Sequence, residues 1–252
     1  MTGVVTARLS VNINKVATLR NSRGGSVPSL KQAVEVILAA GVSSITIHPR
    51  ADERHITRQD IFDVSEQLAP LAETVEFNIE GDTRADLMDA VCEVGPHQCT
   101  LVPVRPGEVT SEAGWDPKTP LPEMRALVER LQSHGVRVSI FVDPKPDAVR
   151  WTADLGANRV ELYTEPFAKA FAQGTTAGAD SFAHYCAMAE LAHSYGLGVN
   201  AGHDLDTDNL VLFRGLPHLD EVSIGHALIS TALFDGLGAV VRRYLDVLKR
   251  AS

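Results

Sequence analysis

The chain has 252 residues, of which 44% are hydrophobic and 22% charged, and its formal net charge is −9. That composition fits one globular domain with a sizeable core, and the acidic balance argues against nucleic acid as a partner, since phosphate backbones are bound by a positive stripe. Three cysteines without metal-ligand spacing, no apolar run of spanning length and no signal-peptide pattern in MTGVVTARLSVN predict a cytoplasmic protein with no membrane partner.

Short β-branched runs alternate with amphipathic ones along the whole chain. LSVNI (9–13) opens as a strand. A helix follows, with Leu30, Ala33, Val34, Ile37 and Leu38 on one apolar face, Ser29 and Gln32 as a capping box and Gly41 as its stop. SITIH (44–48), VEFNIE (75–80) and CTLVP (99–103) are the next strands. Residues 104–120 form the longest non-periodic stretch, a length typical of a functional lid. A helix over 124–135 leads to VSIFVD (138–143) and RVELYT (159–164). A short extra helix is expected within 165–180 and a longer one over 182–196. GVNAG (198–202) and EVSIG (221–225) complete the strands, and a helix with the stripe Leu237, Val240, Val241, Tyr244, Leu245 and Leu248 ends the chain.

Eight strands alternating with helices imply parallel pairing through right-handed crossovers and a single (β/α)₈ barrel over residues 1–252. A doubly wound open sheet fits less well, because no GxGxxG fingerprint follows the first strand. In a barrel the carboxyl ends of the strands open onto the active face. Those ends offer Asn12, Asn14, His48, Glu80, Thr100, Asp143, Glu161, Asn200, His203 and His226. Two histidines and a glutamate converging from different strands can move protons. AGH (201–203) and IGH (224–226) close strands seven and eight, where this fold recurrently binds phosphate. Arg20, Arg23, Arg50 and Arg54 are further anion-binding candidates. His97, His134, His184, His193 and His218 read as surface or core-edge residues. Thr100 and Asp143 can also be read as barrel filling, and Gly202 and Gly225 as tight-turn residues.

VNINKVATLRNSRGG (11–25), ITIHPRADERHIT (45–57), FNIE (77–80), LVPVRPGEVTSEAGWD (101–116), VNAGHDL (199–205) and SIGHA (223–227) together resemble the pyridoxine 5′-phosphate synthase family, in the same order and over nearly the whole chain. The resemblance implies condensation of 3-amino-2-oxopropyl phosphate with 1-deoxy-D-xylulose 5-phosphate, with no metal or organic cofactor, in a homo-oligomer (octameric in the family). It implies His48 and Glu80 as proton acceptors and His203 as proton donor. Asn12, Arg23, Arg50, His55 and Thr110 are implied substrate contacts, with Gly225 and His226 at substrate phosphate and Glu161 as a further acidic strand-end residue.

The chain departs from the family pattern at four positions. Asn14-Lys15 stands where Asp-His is usual, at a pair that helps to bind the deoxyxylulose phosphate. Val104 stands for a common Glu, and Asp204 for a Gly after AGH. Lys15 brings a fixed point cation where imidazole would titrate, and Asp204 a carboxylate beside a phosphate site. These departures leave open a relative using another phosphorylated amino-ketone or keto-sugar, with Lys15 binding phosphate or forming a Schiff base, and a ligand-binding barrel without catalysis.

Overall fold

A computed structural model describes residues 7–105 and 111–249. Strands β1 (Arg8–Asn12), β2 (Ser44–Ile47), β3 (Glu76–Gly81), β4 (Gln98–Leu101), β5 (Arg137–Val142), β6 (Arg159–Tyr163), β7 (Gly198–Gly202) and β8 (Leu219–Ile224) close in sequence order into a parallel barrel, β8 pairing with β1. Each boundary lies within two residues of the sequence expectation.

The helices α1 to α11 follow in chain order. Helix α2 (Leu30–Ala39) buries Leu30, Ala33, Val34 and Ile37 of the expected stripe and half-buries Leu38, and the Ser29 side chain accepts from the Gln32 amide. The reciprocal capping box occurs instead on α3 (Arg58–Leu68), between Thr57 and Asp60. The short helix expected within 165–180 is α7 (Glu165–Ala172), and α8 (Thr175–Ser194) begins seven residues ahead of its expected start. Two further helices, α1 (Asn14–Asn21) and α10 (His226–Asp235), start directly at the ends of β1 and β8. The last helix, α11 (Leu237–Lys249), buries Val240, Val241, Tyr244 and Leu248. No helix among the described residues is long and apolar enough to cross a membrane.

Strand alternation sorts the side chains into two shells. Leu9, Val11, Ile45, Ile47, Ile79, Ile140, Leu162 and Val222 join the apolar cluster that also contains the buried helix stripes, as the period of two requires. The alternate positions are polar and meet across the lumen between strands that are not neighbours. Ser44 donates to Glu221 (3.2 Å), Gln98 to Glu221 (3.4 Å), and Asn200 to Gln98 (3.2 Å). At the amino ends of the strands, Arg8 and Arg137 both pair with Glu76, and Arg159 donates to Asn200 at 2.9 Å. This ionic layer forms the floor of the barrel. Asn200, expected at the active face, is one of its members.

Candidate active site

The opposite face opens into a cavity of about 430 Å³. From the β1 and β2 side, Asn12, Asn14, Lys15, His48, Arg50 and His55 line it. Glu80, Glu161, His203 and Asp204 come from β3, β6 and β7, and Gly225 and His226 from the junction of β8 with α10. The alternation that sends every second strand residue inward explains why Asn12, Glu80 and Glu161 converge although they are far apart in sequence.

His48 and Glu80 form the buried centre. His48 Nδ1 lies 3.6 Å from Glu80 Oε2, too long for a hydrogen bond, and the buried His48 Nε2 has no partner among the described residues. Burial, reinforced by His55, Arg50 and His203, pushes the His48 pKa well below its usual value, so the ring is neutral at pH 7. Burial pushes Glu80 up to about 7. The Ser223 hydroxyl, donating to Oε1 at 3.1 Å, opposes that rise, and the negative charge of Glu221 adds to it. Asn12 Nδ2 donates to Glu80 Oε2 at 3.4 Å. Burial and the neighbouring charges of Glu80 and Glu221 raise the Glu161 pKa well above its ordinary value, so its charged form is disfavoured.

The two anomalous residues after β1 have separate structural roles. Asn14 Oδ1 accepts from the His48 amide at 2.9 Å, and its own amide donates to Asn12 Oδ1 at 3.0 Å. It thereby ties the ends of β1 and β2 together, a contact that needs an acceptor oxygen and no charge. Lys15 is exposed on α1, with neither hydrogen bond nor ion pair among the described residues. Arg54 also lines the cavity, with Asp52 as an ion-pair partner at 2.5 Å, and Arg50 is buried there. His55 Nδ1 accepts from the Ile56 amide, and burial together with Lys15, Arg50 and Arg54 lowers its pKa to about 4. Its side chain therefore faces the cavity as a neutral ring, while Thr57 caps α3.

Two glycines are needed for space rather than for turns. A β-carbon on Gly202 would sit 2.7 Å from Glu161 Oε1, and one on Gly225 3.0 Å from Asn12 Cβ. Neither residue has positive φ. Gly225 precedes α10, whose first residues, His226 and Ala227, face the cavity. A helix N-terminus with free amides favours an anion.

Some sequence expectations fall elsewhere. Arg23 is exposed beyond α1 and does not line the cavity, and Thr110 lies outside the described residues. Arg20 is committed to Asp60 through two hydrogen bonds of 2.6 and 2.8 Å. Asp143 accepts from the Gly114 amide and from Lys145. In the stretch read as a lid, residues 106–110 are outside the described set, and the following segment is pinned. Ser111 is buried against the cavity, the Trp115 amide donates to Phe141 O (3.0 Å), and the indole donates to Leu101 O (3.0 Å). His97, His134, His184 and His218 make local hydrogen bonds and His193 stacks on His218; none lines the cavity. Ser223 is a site residue that the motifs do not single out. Its signal is the inward period of β8, which it shares with Glu221.

A buried imidazole–carboxylate pair, a second buried carboxyl whose charge is disfavoured, and a wall of cations beside a helix N-terminus define an acid–base site for anionic substrates at the carboxyl face of a (β/α)₈ barrel. The family model for the pyridoxal phosphate biosynthesis protein PdxJ matches residues 9–250, and the chain belongs to that family. Pyridoxine 5′-phosphate synthase of Leptospira biflexa serovar Patoc is 48% identical over 252 residues, covering 96% of each chain. The protein of the same name from Porphyromonas gingivalis is 47% identical over 242 residues, covering 96% of this chain and 98% of its own. Among solved structures, a 4-hydroxy-2-oxoglutarate aldolase/2-deydro-3-deoxyphosphogluconate aldolase aligns over 97% of this chain and 96% of its own with a TM-score of 0.64 at 18% identity. A 3-keto-L-gulonate-6-phosphate decarboxylase from Vibrio cholerae covers 97% of this chain and 100% of its own with a TM-score of 0.60 at 14% identity. At those identities the likeness concerns the barrel alone.

Proposed function

We propose that the protein is a pyridoxine 5′-phosphate synthase, condensing 3-amino-2-oxopropyl phosphate with 1-deoxy-D-xylulose 5-phosphate and releasing phosphate and water. The observation that carries this reading is the buried His48–Glu80 pair, with its unpartnered imidazole nitrogen, facing a cationic wall in one cavity. Both substrates are phosphate esters, and joining them requires imine formation, loss of water and ring closure. Each step moves a proton at a defined carbon or oxygen.

Neutral His48 accepts a proton through Nε2, the atom without a protein partner. Glu80, with its pKa near 7, accepts one at working pH and can return it. His203, in the turn just past the facing strand β7, donates. The amides at the start of α10, with Lys15, Arg50 and Arg54, hold phosphate, and Asn12, Asn14, His55, Glu161 and Asp204 surround the reacting carbons. Two phosphate handles fix the reacting atoms near one another, which removes much of the entropic barrier to a bimolecular step. Family membership supports a homo-oligomer working in the cytoplasm on these two small substrates.

The test is a direct assay of purified protein with both substrates, following pyridoxine 5′-phosphate by mass. The expected result is product that disappears in His48→Ala and Glu80→Gln. Absence of product from folded protein, beside an active relative, would overturn the assignment and point to another phosphorylated amino-ketone or keto-sugar.

A further inference from the structure

As the proton donor of the proposed reaction, a reading on which its further role rests, His203 has to gain and lose a proton in each turnover. Its ring is wedged between Phe141 and Tyr163, with centroids 5.4 Å from each. Burial there disfavours the charged imidazole. The backbone is unusual as well: His203 has φ +83° and Asp204 φ +58°, two consecutive non-glycine residues in the left-handed region. The turn is held in place. The Thr164 hydroxyl donates to Gly202 O at 2.6 Å and contacts His203 O, and Asn209 Nδ2 donates to Asp204 O at 3.0 Å.

That turn places an exposed carboxylate, Asp204, on the cavity wall, with no side-chain hydrogen bond or ion pair among the described residues. Lys15 stands on the same cavity wall in the same condition, with the opposite charge. We propose that Asp204 and Lys15 are an opposed pair of positioning residues that act on the charge of the His203 ring in opposite senses, so that its ring can both take up and give a proton in each turnover. The carboxylate favours the protonated ring and the ammonium disfavours it. The remaining neighbours do not replace either partner. Glu165 at the start of α7 acts in the same sense as Asp204 but is tied to Lys169, Tyr163 presents a neutral ring, and His48 just past β2 is uncharged at pH 7.

The experiment is a titration of the His203 ring by NMR in the unliganded protein, for the wild type, Asp204→Asn, Lys15→Gln and the double variant, alongside the pH profile of turnover. Asn tolerates the left-handed turn, and Asp204→Gly serves as a second removal of the carboxylate. Asp204→Asn and Asp204→Gly are expected to lower the His203 titration by about half to one pH unit. Lys15→Gln should raise it by a smaller amount, and the double variant should fall between the two single variants. A His203 titration that stays in place in both single variants, or a double variant that behaves like one of the singles, would overturn the pair. Shifts of the expected sign without any product from the two substrates would uphold the pair and remove the proposed reaction.

Discussion

Glu76 and Glu80 lie on the same strand and the same face, about 13 Å apart by strand geometry, and the protein treats them in opposite ways. Burial alone would raise Glu76, but the hydrogen bonds from Arg8 and Arg137 outweigh it and hold the carboxylate down at about 2. Glu80 meets a hydroxyl, an amide and a neutral imidazole, none of them a full cation, and burial lifts it to about 7. At the floor of the barrel, charges are paired off and the network is structural. At the mouth, His48 Nε2, Lys15 and the Asp204 carboxylate keep unused bonding capacity. A polar residue inside a barrel thus becomes a candidate for chemistry when its neighbours leave it unsatisfied, and not merely because it is polar or buried.

That contrast is most directly broken by exchanging roles. His48→Ala and Glu80→Gln should lower turnover by roughly 10²–10⁴-fold in steady-state assays while leaving the barrel folded. Glu80→Gln should also stabilise the protein at alkaline pH. A carboxyl whose folded pKa is raised to about 7 contributes stability fully below its unfolded value and loses it as pH rises through 7. The variant should therefore gain about 3 kcal/mol over the wild type at pH 8 in urea unfolding, and nothing near pH 4. A loss at pH 8 would class Glu80 with the floor.

Glu76→Gln should do the reverse, costing about 3 kcal/mol by removing the carboxylate that Arg8 and Arg137 share, with turnover of the folded fraction nearly unchanged. Because the Glu76 pKa is depressed on folding, its contribution is present above the unfolded value near 4.5 and is lost as pH falls towards 2. Acid unfolding should accordingly be steeper in the wild type than in Glu76→Gln across that window. The smallest expected effect is that of Ser223→Ala. Removing the hydroxyl that donates to Oε1 should raise the Glu80 pKa further and move the acid limb of kcat/KM upward by about half to one pH unit, with KM little changed. An unmoved limb would take Ser223 out of the site.

Much of the barrel and its site was legible in the chain. The period-two runs marked the strands because a barrel strand shows one face to the helices and the other to the lumen, and polar residues at their carboxyl ends pointed to His48, Glu80, Glu161 and His203. Other expectations needed three dimensions. Asn200 reads as a strand-end site residue, yet the stagger of the strands brings it to Arg159 and Gln98 on the floor. Gly202 and Gly225 read as turn residues, yet what they make room for is Glu161 and Asn12. Arg23 and Arg20 are both anion-binding candidates in the sequence, and the family resemblance favours Arg23 as the substrate contact. In the fold, one is exposed away from the cavity and the other is spent on Asp60.

The amino-acid sequence by itself determined the barrel, its family and the residue types available for moving protons and holding phosphate, because alternation and motif order are local properties of the chain. Only the tertiary structure decided which of those groups are neutralised by a partner and which are left free to act, because the partners of Glu76, Glu80 and His203 come from strands and helices far away in sequence, and pairing depends on distances that no local pattern encodes.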